Sequence, residues 1–92
     1  MAFNRDNFAK MSAHENSNVP RMFGYATVDL AADVDTAGYF NDVSDQVGVG
    51  DLIYAHIDTD GTPAYMLYPV VSNSGGVVDV SDGTAITATD TD

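Results

Sequence analysis

Two histidines, His14 and His56, are the only side chains of this sequence that titrate near neutrality without help from their surroundings, so a general acid or base working at pH 7 is sought there first. Neither sits in a catalytic constellation. His56 lies in the run LIYAHID, where it alternates with Ile53, Ala55 and Ile57, which places it on the outer side of a strand. His14 sits in a polar stretch with no nucleophile beside it. Carboxylates are abundant but equally unspecific. Asp58-Thr59-Asp60-Gly61 shares the opening residues of a calcium-binding loop, and Asp33-Val34-Asp35 offers a second pair. Such a loop completes its shell with more oxygen ligands and a bidentate Glu downstream, and the only glutamate of the chain is Glu15. Asp58–Gly61 is therefore read as a turn. There is no cysteine to supply a thiolate, no tryptophan to supply a sugar platform, and no G-x-S-x-G elbow. The sequence points to no catalytic residue, no metal and no cofactor, and so to a chain that is not an enzyme.

The elements that would carry these residues are strands. Ninety-two residues make one domain at most. From Met22 the chain alternates, with Phe23, Tyr25 and Thr27 on one side and Ala26, Val28 and Leu30 on the other, which predicts a first strand over 22–30. The stretch 31–47 is rich in turn and cap residues around one aromatic pair, Tyr39 and Phe40, and is read as a loop with at most a helical turn. Gly48-Val49-Gly50-Asp51 introduces the LIYAHID strand. Asp60-Gly61 then turns the chain into a return strand over 64–71, where Pro69 demands an edge or a bulge. Ser72–Gly76 reads as a loop, and Asp82-Gly83 as the turn of a second tight hairpin between VVDVS and TAITATD. The expected fold is all-β: a small sandwich or barrel of five to six short antiparallel strands with an extended N-terminal arm.

Charge divides the chain in two. Lys and Arg total 3 against 14 Asp and Glu, a formal net charge of −11. All three cations, Arg5, Lys10 and Arg21, precede residue 22, while residues 22–92 hold 12 Asp and no Lys or Arg. This predicts a basic-leaning arm over 1–21 and an acidic β-domain over 22–92. So acidic a body cannot release counterions from phosphates, which argues against nucleic acid, and it is repelled by anionic membranes. Such a depletion of Lys suits high salt, as in a halophilic source. The first residues, MAFNRDNFAKM, lack the apolar core of an export signal, and no run approaches the roughly 18 apolar residues of a membrane span. The arm carries three apolar anchors, Phe3, Phe8 and Met11. Together with Arg5, Lys10 and Arg21, and with the loop pair Tyr39 and Phe40, these are the candidate partner-binding residues.

One resemblance adds to this reading. Pro20-Arg21, the aromatic strand ending near Asp29, the Gly38-Tyr39-Phe40-Asn41 loop, Val49-Gly50-Asp51 opening the next strand, and VVDVSDGTAI together look like a class of small tailed-phage virion proteins of the head decoration, or capsid cement, type. The resemblance covers roughly residues 14–88. It implies a structural subunit on the outer surface of a virus head, with the major capsid protein as partner and copies clustered as a homo-oligomer, a trimer by expectation. A tail, neck or fibre component is the neighbouring reading. From a different class, net charge alone would fit an acidic mimic of DNA that inhibits a host enzyme.

Overall fold

A repeat of two in apolar residues builds the centre of the molecule, and the strands it produces run through the chain in the order in which they pack. The computed structural model describes residues 3–12 and 19–86. The strands are β1 (Phe8–Lys10), β2 (Met22–Ala26), β3 (Leu52–Ile57), β4 (Ala64–Ser74), β5 (Val77–Val80) and β6 (Thr84–Ile86). They form one six-stranded sheet in the order β1-β2-β3-β4-β5, with β6 also paired to β4. The fold is thus small and mostly β, and the described residues add one four-residue helix, α1 (Ala31–Val34), and two short 3-10 turns at Arg5–Asn7 and Asn41–Val43.

Two features depart from the expected antiparallel hairpins. First, β2 and β3 run parallel, with Phe23 beside Ile53 and Tyr25 beside Ala55. A parallel pair cannot be closed by a tight turn; it needs a crossover of a dozen residues or more, and residues 27–51 are that crossover. What reads as a loop in the sequence is therefore the connection that crosses the sheet. It buries Val34, Phe40, Val43 and Val47 in one cluster with Phe23, Tyr25, Ile53, Ala55, Ile57, Met66, Tyr68, Val70, Val78 and Val80 from the strands. Polar side chains pin it there: the Asn41 Oδ1 accepts the Val78 N–H at 2.9 Å, and the Asn73 amide donates to the carbonyls of Ser44 and Val47 at 2.8 and 2.7 Å.

Second, Asp82-Gly83 is not a hairpin turn. β5 and β6 both pair antiparallel with β4, Val70 opposite Val80 and Leu67 opposite Thr84, so 81–83 is a break within one continuing edge. Pro69 explains the break. It has no N–H to offer, and it lies where β4 changes partner from β6 to β5, next to a register shift between Val70 and Ser72. The real second hairpin turns at Gly75-Gly76, whose φ values of 62° and 83° supply the left-handed pair that a two-residue turn between right-twisted strands requires. Asp58–Pro63 does turn β3 back into β4, as expected, with Ile57 opposite Ala64.

The first described residues are part of the same sheet. β1 pairs antiparallel with β2, Phe8 opposite Tyr25 and Lys10 opposite Phe23, and Phe3 and Phe8 pack against the core. His14 and the polar segment around it, and the chain beyond Ile86 where the last strand was expected to continue, lie outside the described residues.

Candidate binding surfaces

The alternation that buries one face of the sheet leaves the other to solvent, and the composition of that outer face is unusual. Register places Ala9, Gly24, Tyr54, Leu67 and Thr84 in one row across the strands, Met22, Leu52 and Pro69 in a second, and Ala26, His56, Tyr65 and Ile86 in a third. The Met11 thioether lies over Gly24, within 2.9 Å of where a Cβ would stand. None of these residues is charged, in a chain of net charge −11. Met11, Met22, Pro69 and Ile86 are exposed, and Leu52, Tyr54, His56, Tyr65 and Leu67 are half-buried. A one-sided sheet ordinarily turns polar residues to water, so a continuous apolar and aromatic face is the exception that marks contact surfaces. Within it the His56 ring stacks on Tyr65, centroids 4.9 Å apart and planes within 5°, and its Nε2 is buried with no hydrogen-bond partner among the described residues.

A second surface is the aromatic socket beneath the N-terminal segment. Phe3 stacks on Tyr25 at 5.0 Å and meets Phe8 and Phe40 edge-on at 5.5 Å each. Phe8 stacks on Phe23 at 5.3 Å. A hydrogen-bond chain runs along the rim of this socket. The Tyr39 hydroxyl donates to the Asp29 carboxylate at 2.6 Å, so the 2.7 Å contact between the two tyrosines is a donation from Tyr25 to Tyr39, and Tyr25 in turn accepts the Asn4 backbone N–H at 3.0 Å. Asp29 is 6% exposed. Burial, then the hydrogen bonds to Asp29 and Tyr25, push the Tyr39 hydroxyl far above the usual tyrosine range, so it stays a donor at any physiological pH.

A third feature is a cleft of about 260 Å³ lined by Lys10, Arg21, Phe23, Asp45 and Gln46. Arg21 is not available to a ligand there in any simple way. Its backbone N–H donates to Asp51 Oδ1 at 3.0 Å, and its Nε and Nη2 donate to Oδ2 at 3.2 and 2.9 Å, while the Gly48 N–H reaches the same oxygen at 2.8 Å. Burial opposes ionisation of Asp51, but the two backbone N–H groups and the guanidinium more than offset it and hold the carboxyl below the usual carboxylate range. The pair ties the start of β2 to the turn before β3, which is the junction where the parallel strands meet.

The eight residues singled out from the sequence thus fall in four places. Phe3, Phe8, Tyr39 and Phe40 come together in the aromatic socket, with Phe40 1% exposed. Lys10 and Arg21 line the cleft, and Arg5 donates from Nη1 to the Asp42 carbonyl at the edge of the crossover. Met11 alone stands on the outer sheet face. The turn residue Asp58, weighed as a cation ligand, has φ 52° and accepts the Thr62 N–H with its carboxylate at 3.2 Å, which closes the turn from within. Sequence reasoning missed the outer face as a surface, although Leu52, Tyr54 and Leu67 alternate correctly for it; the signal was the absence of charge at the outward positions of Met22–Ala26, Leu52–Ile57 and Ala64–Pro69. Comparison of the chain with protein-family models, curated proteins and solved structures finds no match.

Proposed function

We propose that this chain is a structural subunit with no catalytic role, which docks through the outer face of its sheet onto a larger assembly. The assembly in this reading is the head of a tailed virus and the partner its major capsid protein, with the chain sitting on the outer surface as a decoration or cement protein. One observation carries the docking half of the proposal: the outward positions of β2, β3, β6 and of β4 as far as Pro69 hold no charged residue although the molecule bears a net −11, and the outward carboxylate of β5, Asp79, stands at the far edge of the sheet. The resemblance of the 14–88 segment to virion decoration proteins carries the other half.

Charge also constrains the partner. Asp58 and Asp60 stand at the turn that ends β3 and begins β4, so a complementary surface is apolar at its centre and basic at its rim. Two copies of the chain would instead bring like charges together around the same patch, which favours attachment to a different protein over face-to-face pairing. The test is co-sedimentation of the protein with undecorated heads. Leu67→Asp puts a carboxylate in the middle of the face without touching the core, and it should abolish binding while circular dichroism remains unchanged. Retained binding by a folded Leu67→Asp variant would refute docking through this face.

A further inference from the structure

Acidic side chains gather where the crossover meets the break between β5 and β6. Asp33 lies in α1 and Asp35 closes it. The Gly38 N–H donates to the Val78 carbonyl at 2.8 Å and the Asn41 Oδ1 accepts the Val78 N–H at 2.9 Å, so the chain that leaves α1 is laid along the edge of β5, beside Asp79. Gly83 rests on the Tyr68 ring, whose Cε1 and Cδ1 stand 2.6 and 2.7 Å from where a Cβ would be, and this brings Asp82 to the same ring. The carboxylates feel one another: burial first, then Asp82, Asp79 and Asp33, raise the Asp35 carboxyl above its ordinary range. Among the described residues no salt bridge reaches any of them, since the one cation pair there joins Arg21 to Asp51. Repulsion of this kind opposes folding, and a local conflict that the fold retains is the mark of a functional site.

A second observation at this corner does not depend on charge. Tyr68 is 0% exposed, and its hydroxyl is buried with no hydrogen-bond partner among the described residues. The ring runs from β4 beneath Gly83, and the ring atom closest to Gly83 is Cε1, next to the hydroxyl carbon, so the hydroxyl ends under the acidic turn. Burial, then the charge of Asp35, push this hydroxyl up to about 12, yet no hydrogen bond joins the two groups. A phenol oxygen and a carboxylate that face each other without touching leave a place for a donor that serves both.

We infer that this corner is a subsite for an arginine side chain of the partner protein, whose guanidinium donates to the Asp35 and Asp82 carboxylates and to the Tyr68 hydroxyl oxygen. A bare metal ion does not fit, because no three carboxylates among the described residues converge closely enough to share one. A guanidinium spreads its donors over a rigid planar fork and reaches separated acceptors at once, whereas an ammonium acts as a point charge. Its way in is over residues 81–83, which lie outside the registers of β5 and β6 and are held to β4, among the described residues, by the Ser81 N–H on the Pro69 carbonyl at 3.0 Å. A shift of this turn off the Tyr68 ring uncovers the hydroxyl. That the arginine belongs to a partner rests on the docking reading above, in which acidic turns meet a basic rim.

The isolated, isotope-labelled protein is titrated with N-acetyl-arginine amide at constant ionic strength, and in parallel with N-acetyl-lysine amide and with calcium chloride. The arginine derivative should shift the amide resonances of Asp35, Asp82 and Gly83 along saturating curves, with an affinity several-fold above that of lysine or calcium. Tyr68→Phe keeps the ring and removes only the unpartnered hydroxyl, so thermal melts should show it at least as stable as the wild type while its affinity for the arginine derivative falls several-fold. Asp35→Asn should remove saturable binding. Shifts that stay linear, equal affinity for lysine or calcium, or unchanged affinity in the folded Tyr68→Phe variant would each overturn the subsite. On undecorated heads, Asp35→Asn should weaken co-sedimentation several-fold, and unchanged co-sedimentation would overturn the assignment of the arginine to the partner. Failure of the docking reading shows separately, as head binding retained by folded Leu67→Asp, and leaves the titration of the isolated protein untouched.

Discussion

Replacing Asp51 by alanine tests the joint on which the parallel β2–β3 pair is hung. The carboxylate accepts four hydrogen bonds: the Arg21 and Gly48 backbone N–H groups and two guanidinium nitrogens of Arg21. The side chains of Arg21 and Asp51 are 17% and 5% exposed, so in the variant the guanidinium can turn partly to water whereas the two N–H groups are left short of an acceptor. At about 1–1.5 kcal/mol for each stranded N–H, plus a small residue for the half-screened ion pair, the loss comes to about 3 kcal/mol. For a domain of this size each 1 kcal/mol moves the midpoint by about 4–8 °C, so thermal melts followed by circular dichroism should shift down by about 12–24 °C. The folded carboxyl lies below its ordinary value of 3.8, so the contribution is complete above that pH and is lost as the pH falls through the lower folded value. The gap between wild type and variant should accordingly be constant from neutrality down to about pH 4.5 and close only in stronger acid. A downward shift of less than about 4 °C at pH 7 would refute this account of the joint.

Other perturbations follow from the same geometry. Gly83→Ala should lower the urea midpoint by well over the equivalent of 2 kcal/mol, because φ is 85° and the new Cβ would stand 2.6 Å from the Tyr68 ring, whereas Gly75→Ala, with φ 62° in open space, should cost about 1 kcal/mol. Tyr39→Phe removes the donor to buried Asp29 and the acceptor for Tyr25, and should cost about 2 kcal/mol at an unchanged denaturant slope. Asp35→Asn should stabilise the protein slightly, by about 0.5 kcal/mol at low salt, since desolvation and the charges of Asp82, Asp79 and Asp33 raise the Asp35 carboxyl; the gain should shrink as acid protonates Asp35 and as 1 M salt screens its neighbours.

How far the sequence discloses this molecule depends on the range of the interaction involved. Strand positions in β2, β3 and β4 follow from period-two alternation, because Phe23, Ile53 and Tyr68 each sit on a local pattern that needs no knowledge of the partner. Pairing direction does not. Nothing local distinguishes a strand that joins its neighbour by a hairpin from one that joins it through a crossover, and residues 31–47, full of Asp, Gly and Asn, hide the buried Val34, Val43 and Val47 among turn formers. Asp82-Gly83 misleads for a related reason: the dipeptide that favours a hairpin turn also favours a kink, and only the register opposite Pro69 decides between them. The aromatic anchors Phe3 and Phe8 are legible as anchors, but what they anchor to is a long-range fact, and the structure seats them on Tyr25, Phe23 and Phe40 of the same chain. For the candidate surface, the charge of each outward position is readable residue by residue, while the face appears only when three rows of register align them.

The measurement closest to the central claim is electron cryo-microscopy of undecorated tailed-virus heads incubated with the purified protein. The account predicts additional density on the outer surface in which Tyr54, Leu67 and Met22 face the shell, and the acidic turns Asp58–Gly61 and Ser81–Gly83 lie at the margin. Density showing the protein bound with these three residues turned to solvent, or heads that remain bare at saturating protein, would contradict it.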